Sequence, residues 1–89
     1  EVEATLVQHP AVLEAAVIGV LDEQGLTRSK AFVVVKAGQA VSEEALKAFV
    51  KDRLAPFKYP RSIDFIDDLP KTATGKIQRF KLREREAGQ

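Results

Sequence analysis

Cysteine is absent from this 89-residue chain, which excludes disulfides, thiolate zinc sites and thiol catalysis. Histidine occurs once, at His9, so no histidine-based metal site can be assembled. No apolar run approaches the ~20 residues of a membrane span, and the start lacks the basic, then apolar, then small-residue order of a secretory signal. A cytoplasmic protein without a membrane partner is expected. Internal repeats, low-complexity tracts and linkers are also missing. A chain this short forms one modest core, burying roughly 60–65% of the surface its unfolded form would expose.

Charge is abundant but unevenly placed. The net charge is +1. Residues 1–46 carry three basic and seven acidic side chains, a net of −4, and residues 47–89 carry eleven basic and six acidic, a net of +5. A positive half suits contact with polyanionic nucleotides, and a solvated basic face is the plain alternative. Nucleic acid is not the expected partner. The six acids among those bases, an aromatic content of 7% and the absence of a recognisable DNA- or RNA-binding motif all argue against it.

Local patterns point to an α+β fold with a small sheet of about three strands flanked by helices. Val2 and Leu6 share one face of a short opening helix that Pro10 ends. Val12 to Leu21 and Ala31 to Val35 read as buried strands, joined as a hairpin through the turn signal Asp22-Glu23-Gln24-Gly25. Gly19 marks a bulge or a close approach within the first strand. Ser42 is placed as an N-cap, with Glu43 and Glu44 in the first turn and Leu46, Phe49, Val50 and Leu54 at helical spacing. Pro56 stops that helix, Ile63 and Phe65 alternate as a half-buried strand, and Phe80 to Glu86 read as a charged final helix.

Chemistry concentrates between the last strand and the last helix. In Leu69-Pro70-Lys71-Thr72-Ala73-Thr74-Gly75-Lys76-Ile77-Gln78-Arg79, Gly75 permits a positive-φ turn and the hydroxyls of Thr72 and Thr74 can bond nearby backbone. Lys76 follows as a compact cation with three donors, suited to phosphate or carboxylate oxygens. A Walker phosphate loop is excluded twice: it needs glycine where Pro70 stands and Ser or Thr where Ile77 stands. Lys71 reads as surface charge, and Arg79, Lys81, Arg83 and Arg85 as a solvated helix face.

The same run resembles the C-terminal lysine motif of the adenylate-forming superfamily, which comprises acyl-CoA synthetases, peptide-synthetase adenylation domains and luciferases. Leu54-Ala55-Pro56-Phe57-Lys58-Tyr59-Pro60-Arg61 resembles the preceding segment of those enzymes. Glu1-Val2-Glu3, His9-Pro10-Ala11-Val12 and Glu14-Ala15-Ala16-Val17-Ile18-Gly19 are similar to the start of their small mobile domain. The wording is most similar to benzoate-CoA and related aryl-CoA ligases. A peptide-synthetase module is the nearer alternative, disfavoured by Lys58-Tyr59-Pro60-Arg61 and by the short end after Lys76.

The resemblance implies that residues 1–89 are one domain, the C-terminal lid of a larger ligase that joins a carboxylate to coenzyme A through an acyl-adenylate. ATP, Mg2+ and coenzyme A would serve the full-length enzyme, with none held tightly by this part alone. The phosphate loop, adenine and acyl pockets, magnesium ligand and hinge would precede Glu1, in an N-terminal domain of the same polypeptide. The isolated chain would then be inactive. Lys76 would be the catalytic residue, with Thr74 and Gly75 positioning its loop. Phe57, Tyr59 and Arg61 share one side of an extended segment and are candidates for coenzyme A, or else Phe57 and Tyr59 pack on the sheet and Arg61 is surface charge. Acylation of the Lys76 amine would abolish its charge, which makes a lysine acetyltransferase and a deacetylase candidate partners.

Overall fold

The computed structural model describes residues 2–54 and 59–87. Val2–Leu6 form α1, Val12–Leu21 β1, Thr27–Val35 β2, Glu43–Arg53 α2, Ser62–Phe65 β3 and Arg79–Ala87 α3. The three strands lie in the order β1-β2-β3, with β1 antiparallel and β3 parallel to the central β2. The fold is α+β, as the sequence leads one to expect. A parallel neighbour cannot be reached by a tight turn, and α2 lies in the crossover from β2 to β3.

The β1–β2 hairpin is closed by Asp22, whose Oδ1 accepts from the Gln24 and Leu26 N–H groups, both at 2.9 Å. Its other oxygen takes the Arg28 Nε at 2.9 Å, and that bond, with the backbone donors, holds the carboxyl below its ordinary range. Strand β2 begins at Thr27, four residues before the apolar run, because ladder pairing continues to Leu21↔Thr27 whatever the side chains. Ladder bonds use backbone alone.

Register decides which residues reach which face. Between Val12↔Val35 and Glu14↔Val34 the first strand carries one extra residue, Leu13, which stands 55% exposed. This bulge, not Gly19, is the irregularity of β1. Gly19 pairs in register with Ser29, and a Cβ there would lie 2.9 Å from the Thr27 methyl, so it serves close approach alone. The bulge shifts the alternation so that Val12 joins Ala15 on one face while Glu14 joins Ala16 and Ile18 on the other.

Each face has its own core. Leu6 of α1 and Leu46 and Val50 of α2 cover Val12, Ala15, Ala31, Val33 and Ile63. On the opposite face, Leu82 of α3 and Leu69 of the lysine loop cover Ala16, Ile18, Phe32 and Val34. The period of two in β2 therefore feeds both cores, which is why its apolar run is continuous. Ser42 caps α2, its Oγ accepting from the Ala45 N–H at 3.1 Å, and the helix ends at Arg53 with Leu54 extended. Pro56, expected to end it, lies outside the described residues. Helix α1 stops at Leu6, before Pro10; His9 Nδ1 then accepts from the Ala11 N–H at 3.1 Å, fixing the turn into β1.

Candidate active site

The lysine loop is a small hairpin. Lys71 and Ile77 form an isolated antiparallel bridge, and inside it the Thr72 N–H donates to the Lys76 carbonyl at 2.8 Å. The Gly75 N–H donates to the Thr72 carbonyl at 2.9 Å, closing a turn whose last residue, Gly75, has φ 89°. That is a three-residue hairpin loop with a left-handed glycine, a position that a side chain would strain. The Thr72 Oγ1 accepts from the Lys76 N–H at 3.1 Å and lies 3.0 Å from the Thr74 Oγ1. Lys76 itself is exposed, and its ammonium has no partner among the described residues.

The hairpin stands on fixed footings. Leu69 is buried, Ile77 packs against the same core, and the Gln78 N–H donates to the Pro70 carbonyl at 2.8 Å. Lys71 bonds the Glu14 carboxylate at 2.8 Å and Asp68 at 3.1 Å; those two bonds raise its pKa above the ordinary value. The reading of Lys71 as plain surface charge is corrected: it ties the loop to β1. Arg79 is corrected likewise. Its Nε donates to Glu3 Oε2 at 3.0 Å and its Nη2 to Glu3 Oε1, so this partly exposed side chain joins α3 to α1. Glu14 and Glu3 could not be found by local spacing, since they lie 57 and 76 positions from Lys71 and Arg79.

A second feature lies at the other end of the sheet. Thr27, Arg28, Ser29, Lys47, Tyr59 and Arg61 line an open cleft of about 490 Å³. Tyr59 and Arg61 thus share a surface, while Phe57 lies outside the described residues. Lys51 sits 4.8 Å over the Tyr59 ring, and the Arg61 N–H donates to the Ser29 carbonyl at 2.9 Å. Among the described residues three cations line the cleft; Arg28 is paired with Asp22 and Lys47 with Glu43 at 3.2 Å. Arg28 and Lys47 escape sequence reasoning because β2 and α2 bring them to Arg61 only through the crossover. Glu14, which holds the lysine loop, pairs with Val34, five residues from Ser29 along β2. At about 3.3 Å per residue the two features stand about 17 Å apart along the strand.

The model of the AMP-binding enzyme C-terminal domain matches residues 1–76. The chain belongs to this family. Among relatives, benzoate–CoA ligase of Thauera aromatica is 63% identical over 86 residues, covering 93% of this chain and 16% of that protein. The crystal structure of a benzoate CoA ligase from Burkholderia xenovorans LB400 is 70% identical, with a TM-score of 0.84 over 92% of this chain and 17% of its own. That of a Brucella canis acyl-CoA synthetase is 49% identical, with a TM-score of 0.90 over 98% of this chain and 17% of its own. This AMP-binding enzyme C-terminal domain therefore spans 16–17% of the length of those proteins. The family match ends at residue 76, on the loop lysine.

Among the described residues, no group of three or more His, Cys, Asp or Glu is placed to hold a metal ion, and no helix is long and apolar enough to cross a membrane. Chemistry available on these residues is electrostatic: an unpaired ammonium on a pinned loop, and a cationic cleft beside one aromatic ring.

Proposed function

We propose that this chain is the C-terminal lid domain of a cytoplasmic AMP-forming carboxylate–CoA ligase acting on an aromatic acid, benzoate, and that Lys76 is its catalytic residue. The observation that carries the reading is a Lys76 ammonium with no partner among the described residues, on a hairpin pinned to the sheet, in a chain 63% identical to a benzoate–CoA ligase. In the first half-reaction a carboxylate attacks the α-phosphate of ATP, pyrophosphate leaves and an acyl-adenylate forms. Two anions must meet. At 4 Å and an effective dielectric of 20, unit charges interact by about 4 kcal/mol, so one cation touching both oxygens offsets repulsion of that order.

Thr74 and Gly75 are assigned to positioning: the glycine through its left-handed turn, the threonine through its hydroxyl beside Thr72. In the second half-reaction the lid rotates and offers its other surface, where Tyr59 and Arg61, with Phe57 upstream, meet the nucleotide end of coenzyme A. The separation of the lysine loop from the Tyr59–Arg61 cleft supports that division. ATP, its Mg2+ and the acyl group are assigned to the N-terminal domain of the same polypeptide. Exposure of Lys76 makes it accessible to an acetyltransferase and a deacetylase, which would switch the first step off and on.

Substituting Lys76→Ala in the ligase that carries this domain tests the reading. Adenylate formation, followed as pyrophosphate release from benzoate and ATP, is expected to fall by about 10²–10³-fold. Thioester formation from supplied benzoyl-adenylate is expected to survive. Equal losses in both steps would reduce Lys76 to a structural role.

A further inference from the structure

We infer that Thr72 is the positioning residue for Lys76 and acts through its side-chain hydroxyl. Three hydrogen bonds run between Thr72 and the end of the loop, and they differ in what they demand of residue 72. The donation from its N–H to the Lys76 carbonyl at 2.8 Å, and the acceptance by its carbonyl from the Gly75 N–H at 2.9 Å, are backbone bonds that any residue with an N–H makes. Only the third, from the Lys76 N–H to Oγ1 at 3.1 Å, needs a hydroxyl.

That bond completes a clamp. Lys76 is held at its N–H and its carbonyl by the same residue, so the direction in which its Cα–Cβ bond leaves the loop is set by Thr72. The second hydroxyl contact, to Thr74 at 3.0 Å, fixes the rotamer that keeps Oγ1 beneath the Lys76 amide. One step back along the chain, Lys71 is tied to Glu14 and Asp68, so the clamp is anchored to the sheet rather than to a mobile loop. A lysine side chain has four rotatable bonds, and a fixed root narrows where its ammonium can sit. A misplacement of about 1 Å at a reacting centre costs up to about 10²-fold in rate. One exposed, neutral hydrogen bond sets a smaller expectation, about tenfold.

The inference rests on the reading of Lys76 above, and the experiment separates the two. In the ligase that carries this domain, Thr72→Val keeps the branched shape and removes the hydroxyl, and Thr72→Ser keeps the hydroxyl. The valine variant is expected to lose about tenfold in the saturated rate of adenylate formation, with thioester formation from supplied acyl-adenylate unchanged. The serine variant is expected to stay within about threefold of the parent, a rescue that a merely structural role would not produce for one half-reaction only. In the 89-residue chain, hydrogen exchange of the Lys76 amide is expected to rise about tenfold with valine and to stay slow with serine. If Lys76→Ala leaves adenylation intact, the Lys76 reading falls and the inference with it. If Lys76→Ala abolishes adenylation while Thr72→Val matches the parent, or slows both half-reactions alike, the inference alone is overturned.

Discussion

Glu3 shows how much one side chain can organise. Its Oε2 accepts from the Val17 N–H at 2.7 Å, an amide on the outer edge of β1, and both its oxygens meet the Arg79 guanidinium. Partial burial works to raise its pKa, but the Arg79 bonds and the Val17 amide prevail and hold it below the ordinary 4.5. A carboxyl depressed on folding adds stability above its unfolded pKa and loses it as pH falls through the folded value. Glu3→Gln is therefore expected to lower stability by about 1–2 kcal/mol at pH 7, allowing for the partial exposure of both groups. The gap between parent and variant should close as the pH drops below about 4.5, and thermal melts across pH 3–7 would show it. A gap independent of pH would remove the ion pair as its cause. The turn that presents Lys76 was legible at this scale because a glycine, two threonines and a proline precede it within seven residues. Glu3 and Arg79 were not, since their meeting depends on where two distant helices dock.

Helix α2 illustrates the element whose sequence signals and structure agree. Ser42 caps it, Leu46 and Val50 bury its inner face, and Glu43 lies in its first turn, where a negative charge is favoured. Glu43 also does something no helix rule indicates: its Oε2 accepts from the Ile63 N–H of β3 at 2.9 Å. Both outer strands thus have an edge amide taken by a carboxylate from a helix, Val17 by Glu3 and Ile63 by Glu43, which makes each edge a poorer template for another chain. Ser42→Ala is expected to cost about 1 kcal/mol, read as a drop of about 4–8 °C in Tm. An unchanged Tm would mean that the tie from Glu43 to β3, not the cap, holds the first turn.

Across the whole molecule, Lys30 pins three elements together. It projects from β2 to Glu86 of α3 at 2.6 Å and to Asp64 of β3 at 3.0 Å. Partial burial disfavours its charge, yet the two carboxylates outweigh this and raise its pKa. With two cores, capped edges and such ties, the 89-residue chain is expected to unfold cooperatively by itself, seen as coincident fluorescence and circular-dichroism transitions. It is also expected to release no pyrophosphate from benzoate and ATP, because the proposed function assigns ATP and the acyl group to a separate N-terminal domain. Turnover by the purified chain would overturn the lid-domain reading.

What the sequence determined by itself is a set of features that act over a few residues. The α+β class, the hairpin turn at Asp22, the cap at Ser42, the Gly75 turn and the exposed lysine after it all follow from local conformational preference and periodicity. Tertiary structure decided the rest. The bulge at Leu13 turned Glu14 toward the lysine loop and made a strut of Lys71, the packing of α1 and α3 on opposite faces of β1 let Arg79 clamp Glu3 across the strand edge, and the α2 crossover gathered Arg28, Lys47 and Arg61 around one cleft. The physical reason is common to all three. A charge has no preferred local conformation to betray its partner, and its role is set only when packing of the apolar faces brings distant segments within about 3 Å.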